Sequence, residues 1–163
     1  MDAFDEEIIK FWKALYDNKV KYIIIGGFAA NIHGYQRYTG DMDMWIQDTP
    51  ENRDCLRKAF IEAGMGDYYM MYRIQFVAGW TDFRLNNGLK LDIVTAMKGL
   101  EEFSFDDCLK VSTIADIDGV QVPFLHINQL IANKKAVNRP KDQLDVMELE
   151  KIKELRKEMG LDP

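Results

Sequence analysis

Residues 22–46 read YIIIGGFAANIHGYQRYTGDMDMWI, and no other stretch constrains the fold of this chain as much. Consecutive β-branched residues at 22–25 predict a strand buried on both faces. Gly26-Gly27 breaks it, and 28–33 predicts a short helix ended by Gly34. A loop over 35–39 leads to a second strand, 41–46. Its alternation sends Met42, Met44 and Ile46 to one face and Asp41, Asp43 and Trp45 to the other. A unit this short needs a sheet to bury its first strand, and it delivers two carboxylates to one face of that sheet.

Two carboxylates that close repel each other and suffer on burial unless a cation stands between them. A hard divalent cation answers that need: Mg²⁺ takes one or two carboxylates, with phosphates and water completing its shell. Asp92 adds to the pattern. It sits in LKLDIV, an apolar strand context in which a lone charge needs a reason. If that strand pairs beside 41–46, three carboxylates converge, and such a set holds two ions about 4 Å apart. One ion would meet a triphosphate and the other would activate an attacking hydroxyl, with Asp92 or Asp43 as general base. Gly26-Gly27 opens a helix directly after a strand, where backbone N–H groups can approach a phosphate. The pair lacks the Gly-x-Gly-x-x-Gly of a dinucleotide site and the Gly-Lys-Ser/Thr of a P-loop. Alone, a glycine pair is a turn and an Asp-x-Asp is a solvated face. Together with an acid inside an apolar strand, they point to a site.

The remaining segments predict the support. Asp5 caps a helix over 6–18 with an apolar face of Ile8, Ile9, Phe11, Trp12, Leu15 and Tyr16. Asp48 or Thr49 caps an amphipathic helix over 51–63 that has Pro50 at its start. The stretch 68–75 reads as loop with a short helix or strand. Strands are expected over 76–83 and 90–94 around Asn86-Asn87-Gly88, and Ser104 reads as a cap. A hairpin pairs 111–117 with 120–124 around Asp118-Gly119. Helices follow from 127, broken at Asn138-Arg139-Pro140. The last, 141–159, carries a stripe of Leu144, Met147, Leu149, Ile152 and Leu155 and ends at Gly160. The order predicts an α+β fold, a mixed sheet packed with helices and a C-terminal helical segment. The 163 residues fit one domain, with a core over 20–125 and helices over 127–160.

Composition sets limits. Apolar residues form 47% of the chain, enough for a core. A formal charge of -6 argues against non-specific nucleic-acid binding, though not against a nucleotide or RNA end held by a local basic patch or a metal. Cys55 and Cys108 stand in no paired motif, which fits a reducing compartment. The acidic start MDAFDEE is unlike a signal peptide, and no apolar run spans a bilayer. A cytoplasmic location without membrane contact is expected.

Gly26, Gly27, Asp41-x-Asp43 and Asp92 resemble the signature of the DNA polymerase beta-like nucleotidyltransferase superfamily. The wider stretch, with Ala29, His33, Gly34, Arg37 and Thr39, resembles small bacterial nucleotidyltransferases related to the toxin half of abortive-infection and toxin–antitoxin pairs. The tail LHINQLIANKKAVNRPKDQLDVMEL is similar to the same group, with Lys134 or Lys135 followed by Arg139, Lys141, Asp142 and Asp145. The resemblance implies a mixed sheet carrying the aspartates, Mg²⁺ or Mn²⁺, an NTP and an acceptor hydroxyl. It also implies that a cognate antitoxin is a partner to look for. Many active members have Gly-Ser where this chain has Gly26-Gly27, so a serine contact to the triphosphate is absent.

The resemblance and the residues together assign roles. Gly26, Gly27, Arg37, Lys134 and Lys135 are candidates for the nucleotide, although adjacent lysines cannot both face one site. Arg37 could bind phosphate, steer Asp41 or form a buried salt bridge. His33 reads as structural near the site and Thr39 as a loop hydrogen-bonding residue. Arg139, Lys141, Asp142 and Asp145 read as an ionic network fixing the last helix. Trp45, Tyr68, Tyr69, Tyr72 and Trp80 read as core or rim, with 68–72 able to flank a base. The expected activity is metal-dependent transfer of a nucleoside monophosphate from an NTP to a hydroxyl on protein, RNA or a small molecule, releasing pyrophosphate. Alternatives are a non-catalytic interaction protein of the same fold and an aminoglycoside-type transferase.

Overall fold

The computed structural model describes residues 5–77, 79 and 81–161. Trp80 and part of the strand expected over 76–83 lie outside them. The elements run α1 (Glu6–Asp17), β1 (Tyr22–Ile25), α2 (Gly26–Ile32), β2 (Asp41–Ile46), α3 (Pro50–Glu62), β3 (Phe83–Arg84), β4 (Lys90–Val94), α4 (Phe105–Lys110), β5 (Thr113–Ile117), β6 (Val120–Phe124), α5 (Ile127–Val137) and α6 (Pro140–Glu158). The strands form one mixed sheet in the order β3-β4-β2-β1-β6-β5. This is the α+β architecture expected from the sequence.

The central strands are β1 and β2, paired antiparallel, with β6 parallel to β1 and β4 parallel to β2. All of β1 is buried, as its unbroken β-branched run requires. Helix α1 covers one face. Its Trp12 packs edge-on against Phe28 and Phe124 at 6.2 and 5.9 Å. Phe60 of α3 extends the same core to Phe11, Phe83 and Tyr68. On the opposite face Trp45 meets Phe105 of α4 edge-on at 5.2 Å, a pairing that adds about 0.5–1.5 kcal/mol beyond area burial.

Caps follow the sequence closely. The Asp5 side chain accepts from Glu7 N–H, and Thr49 rather than Asp48 caps α3, accepting from Asn52 N–H. Ser104 and Asp107 form a reciprocal capping box on α4. Asp118 and Gly119 both take positive φ, 53° and 83°, the pair of values a tight hairpin of right-twisted strands demands.

Three expectations need correction. Strand β3 spans Phe83–Arg84, not most of 76–83. Upstream, Met71 and Arg73 N–H groups close local turns, and the Arg53 side chain caps the carbonyls of Met71 and Ile74. Strand β5 starts at Thr113, because Ser112 still closes α4 through Leu109 O.

The largest departure is α6. Leu149 is buried, but Leu144, Met147 and Leu155 are 52%, 57% and 57% exposed. The inner face is instead Asp142, Asp145 and Leu149, with Val146 and Ile152 packed beside them. Ion pairing selected the face that apolar periodicity did not.

Candidate functional site

The site is built where β1, β2 and β4 run side by side. Register places Asp43 opposite Ile25 on one flank and opposite Asp92 on the other. The expected pairing of the 90–94 strand beside 41–46 is therefore met, with the two acids as direct cross-strand neighbours. Asp41, two residues before Asp43, leaves the same face. All three line a cleft of about 360 Å³, together with Ile25, Gly26, Lys98, Asn133, Lys134, Arg139, Lys141 and Asp142. A larger cleft of about 590 Å³ lies away from these residues, between the end of α1 and β5–β6.

Like charges side by side have an electrostatic consequence. Burial, then the neighbouring Asp92 and Asp41, push the Asp43 carboxyl up to about 6, against a smaller opposing pull from Lys141 and Lys134. One Asp92 oxygen accepts from Gly79 N–H at 3.1 Å. Among the described residues, no three His, Cys, Asp or Glu side chains stand together as a ready-made metal-holding group. The expected three-ligand convergence is thus only partly built. The acids share one cleft and one face without closing on a common point. Their chemistry still suits a hard cation that takes one or two carboxylates and finds its other ligands on phosphate and water.

The glycine pair is explained by space. Gly26 has φ 66°, and a Cβ there would collide with Asp43 Oδ2. Gly27 lies one layer down, where a Cβ would stand 2.6 Å from Thr39 Oγ1 and 3.4 Å from Arg37 Nη2. A serine does not fit there without moving Thr39, whose hydroxyl donates to Asp41 O at 3.0 Å. So Gly27 lets the loop carrying Thr39 close onto α2 and fix the start of β2. Helix α2 is only seven residues long.

The other candidates separate into two groups. Lys134 is buried, and its ammonium lies 2.6 Å from Asp145 and 3.9 Å from Asp142. Arg37 Nη2 donates to the same Asp145 oxygen at 2.9 Å. Of the three options open to Arg37, the structure shows the salt bridge. Arg139 holds Asp142 through its side chain, and its backbone N–H completes a capping box. Burial opposes charge on Asp142, but the Arg139 hydrogen bonds outweigh it and hold its carboxyl below the usual range. Arg37, Lys134, Arg139, Asp142 and Asp145 thus form one ionic network at the start of α6, at the back of the cleft.

His33 is buried. Its Nε2 lies 2.8 Å from Leu125 O, while Arg156 donates to its carbonyl at 2.9 Å. Burial pushes its pKa down. The ring ties α2 to the end of β6 and stands apart from the cleft lining. Lys135 turns away too, exposed and paired with Glu150 at 3.4 Å.

Lys98 and Lys141 are the cleft cations that form no ion pair among the described residues. Reading the sequence missed Lys98. It follows β4 in a turn held close to α5: Asn133 donates to Lys98 O at 2.9 Å. A Cβ on Gly99 would stand 2.8 Å from Ala136 Cβ and 2.9 Å from Ala132 O. The signal available was a lysine before a glycine, six residues after Asp92 on the same connection.

No protein-family description matches the sequence, and no curated protein matches it. Solved structures do. A candidate nucleotidyltransferase from Thermotoga maritima superposes with a TM-score of 0.56 at 18% identity, covering 94% of this chain and 90% of that one. An antigenic nucleotidyltransferase-like protein from Paracoccidioides brasiliensis gives a TM-score of 0.54 at 16% identity, covering 91% and 75%. The chain is therefore similar in fold to nucleotidyltransferase-like proteins, and that fold sets its acidic cleft at the junction of β1, β2 and β4.

Proposed function

We propose that the protein transfers a nucleoside monophosphate from an NTP to a hydroxyl group, releasing pyrophosphate. The observation that carries this reading is the placement of Asp43 and Asp92 as register partners, with Asp41 on the same face, in a cleft that also holds Lys98 and Lys141, which form no ion pair among the described residues. Acids on one wall and ammonium groups on the other suit a polyphosphate carried with a divalent cation. Bound Mg²⁺ or Mn²⁺, held by Asp41 and Asp43 with Asp92 beside them, would supply Lewis-acid stabilisation of the phosphate oxygens.

The chain's own residues account for the rest. Lys98, Lys141 and the exposed part of Arg139 bind the triphosphate oxygens. The backbone at Gly26 forms the floor, kept bare because a side chain there would strike Asp43. The acceptor oxygen attacks the α-phosphorus; a new P–O bond forms as the bond to the β-phosphate oxygen breaks. The hydroxyl proton passes to Asp92 or Asp43. Lys134 acts indirectly, holding Asp145 and Asp142 so that α6 presents Lys141 and Arg139. The acceptor is to be sought among proteins, RNA and small molecules, and the sequence resemblance suggests a bacterial toxin–antitoxin setting.

Labelled NTPs with Mn²⁺ test the proposal. Cation-dependent nucleotide binding is expected for the wild type and not for the Asp41→Ala, Asp43→Ala double variant. Equal binding by both would refute it. A second reading, a non-catalytic member of the fold, draws on the incomplete convergence of the acids. It predicts nucleotide binding without release of pyrophosphate in the presence of any acceptor class.

A further inference from the structure

The larger cleft, of about 590 Å³ between the end of α1 and β5–β6, has a cause in the backbone. Leu125 N–H donates to Ile24 O at 2.9 Å, and Ile24 with Phe124 is the single register pair of β1 and β6. In a parallel ladder every second residue turns its backbone groups to the same neighbour, so residues 121, 123 and 125 face the β1 side. The donor due next is residue 123. Pro123 has no N–H to offer Tyr22 O, although β6 is an inner strand where proline is unusual. Two residues further back, the Gln121 N–H would meet Val20 O, and that bond does not form. The strands part here, and the gap opens into the cleft.

The chemistry around the gap is mixed in one particular way. Val20, Leu109, Ile114 and Pro123 supply apolar wall. Lys19 and Lys21 also line the cleft, on either side of Val20. Helix α1 ends with Val20 N–H donating to Leu15 O and Lys19 N–H to Tyr16 O. Lys19 thus takes φ 56° at the position where a helix end usually carries glycine. Neither lysine forms an ion pair among the described residues. Asp17, an acid of the same lining, is held by Lys13 at 2.7 Å. Glu51 shares an adjoining hollow with both lysines without pairing with either. The Tyr22 hydroxyl, on another wall residue, is buried with no hydrogen-bond partner among the described residues, a cost that an acceptor entering beside it would remove.

We propose that this cleft binds a small carboxylic acid with an apolar body. Its carboxylate lies between the Lys19 and Lys21 ammonium groups, where the Gln121 N–H lacks its ladder partner, and its body fills the gap against Pro123, Ile114 and Leu109. Every free group at the mouth is a donor, which selects an anion, and the walls select against a bare inorganic one. The volume is within the range of small-molecule sites. The inference does not rest on the proposed chemistry.

Titration of the full chain with naphthoate, followed by amide NMR and calorimetry, tests it. A Kd of about 1 mM or tighter is expected for an acid of this size, with the Gln121 amide among the largest shifts. The neutral naphthamide, inorganic phosphate and a C-terminally amidated apolar peptide should each bind at least about tenfold more weakly. Lys19→Ala with Lys21→Ala should also cost about tenfold, with an unchanged circular dichroism spectrum because both positions are exposed. A Kd weaker than about 10 mM would overturn the proposal. So would equal affinity for naphthamide or the peptide, which would mark an apolar groove blind to charge. Tighter binding of phosphate, shifts centred on Asp43 and Asp92 instead of Gln121, or indifference to the lysine changes would overturn it too.

Discussion

Two groups of charges face each other across the cleft, and the fold treats them oppositely. At the start of α6, Lys134, Arg37 and Arg139 neutralise Asp145 and Asp142 with short, directional contacts. On the strands, Asp41, Asp43 and Asp92 have no cationic partner in an ion pair among the described residues, and Asp43 is driven towards its neutral form. The residue types are the same. What differs is whether the protein supplies the counter-charge. A satisfied buried network fixes geometry, whereas an unsatisfied one stores repulsion that a ligand can relieve.

The comparison breaks first on the satisfied side. Asp145→Ala leaves the buried Lys134 ammonium only its 3.9 Å contact with Asp142 and removes the ion partner of Arg37. The expected loss is about 3–5 kcal/mol in denaturant unfolding, the range for removing one partner of a buried pair. A loss below about 1 kcal/mol would mean water already screens that network. The lysine-to-methionine change at Lys134, combined with Asp145→Leu, should recover most of it, because the pair taken together contributes little beyond specificity.

On the unsatisfied side the sign reverses. Asp43→Asn should stabilise the protein at neutral pH by about 1–3 kcal/mol in the absence of divalent cations. The sign follows from linkage: the carboxyl titrates near 6 in the folded chain and near 3.9 unfolded. The favourable contribution is complete below about pH 4 and disappears as pH rises through about 6. Wild-type stability should therefore fall across that window relative to the Asn variant. Mn²⁺ should close the gap by stabilising the wild type alone.

The difference between the two sides also decides what was legible in the sequence. The strand pair and its acids were readable, because β-branched runs and two-residue alternation encode buried strands and shared faces directly. Asp92 was legible for the same reason, as a charge where only apolar residues belong. Arg139, Asp142 and Asp145 were expected in an ionic network, but Lys141 stands outside it among the described residues, Lys134 and Arg37 take part in its place, and the network's effect on α6 was not foreseen. A helix chooses its buried face by total free energy, and four ion pairs from three cations to Asp142 and Asp145 outweighed an apolar stripe that periodicity alone ranked first. Lys98 was illegible because its position depends on Gly99 meeting α5, a contact between segments far apart in sequence. The role of Gly27 was likewise hidden: its close approach to Thr39 is a tertiary fact, though the glycine itself marks the place.

That close approach makes an intermediate test. Gly27→Ser introduces the side chain of the more usual motif into a position already filled by Thr39 and Arg37. The expected result is destabilisation by about 1–3 kcal/mol from overpacking, with no gain in nucleotide affinity. Pairing it with Thr39→Ala should recover stability, since the obstructing hydroxyl is gone. A single Gly27→Ser variant that is as stable as wild type and binds NTP more tightly would show that the loop yields readily, and that the serine role is only dormant.

The smallest effect separates the two adjacent lysines from the cations of the cleft. Lys135 is exposed and pairs with Glu150 on the surface, so Lys135→Ala should change stability by less than about 0.5 kcal/mol and leave nucleotide affinity unaltered. Lys98→Ala should be equally mild for folding, because that ammonium has no ion partner among the described residues, yet it should weaken Mn²⁺-nucleotide binding by about tenfold. Isothermal titration of the two variants side by side reads the contrast with one ligand. If Lys135→Ala weakens binding and Lys98→Ala does not, the triphosphate lies along the outside of α5 rather than between the strands and α6, and the acidic pair would then face something other than the phosphates.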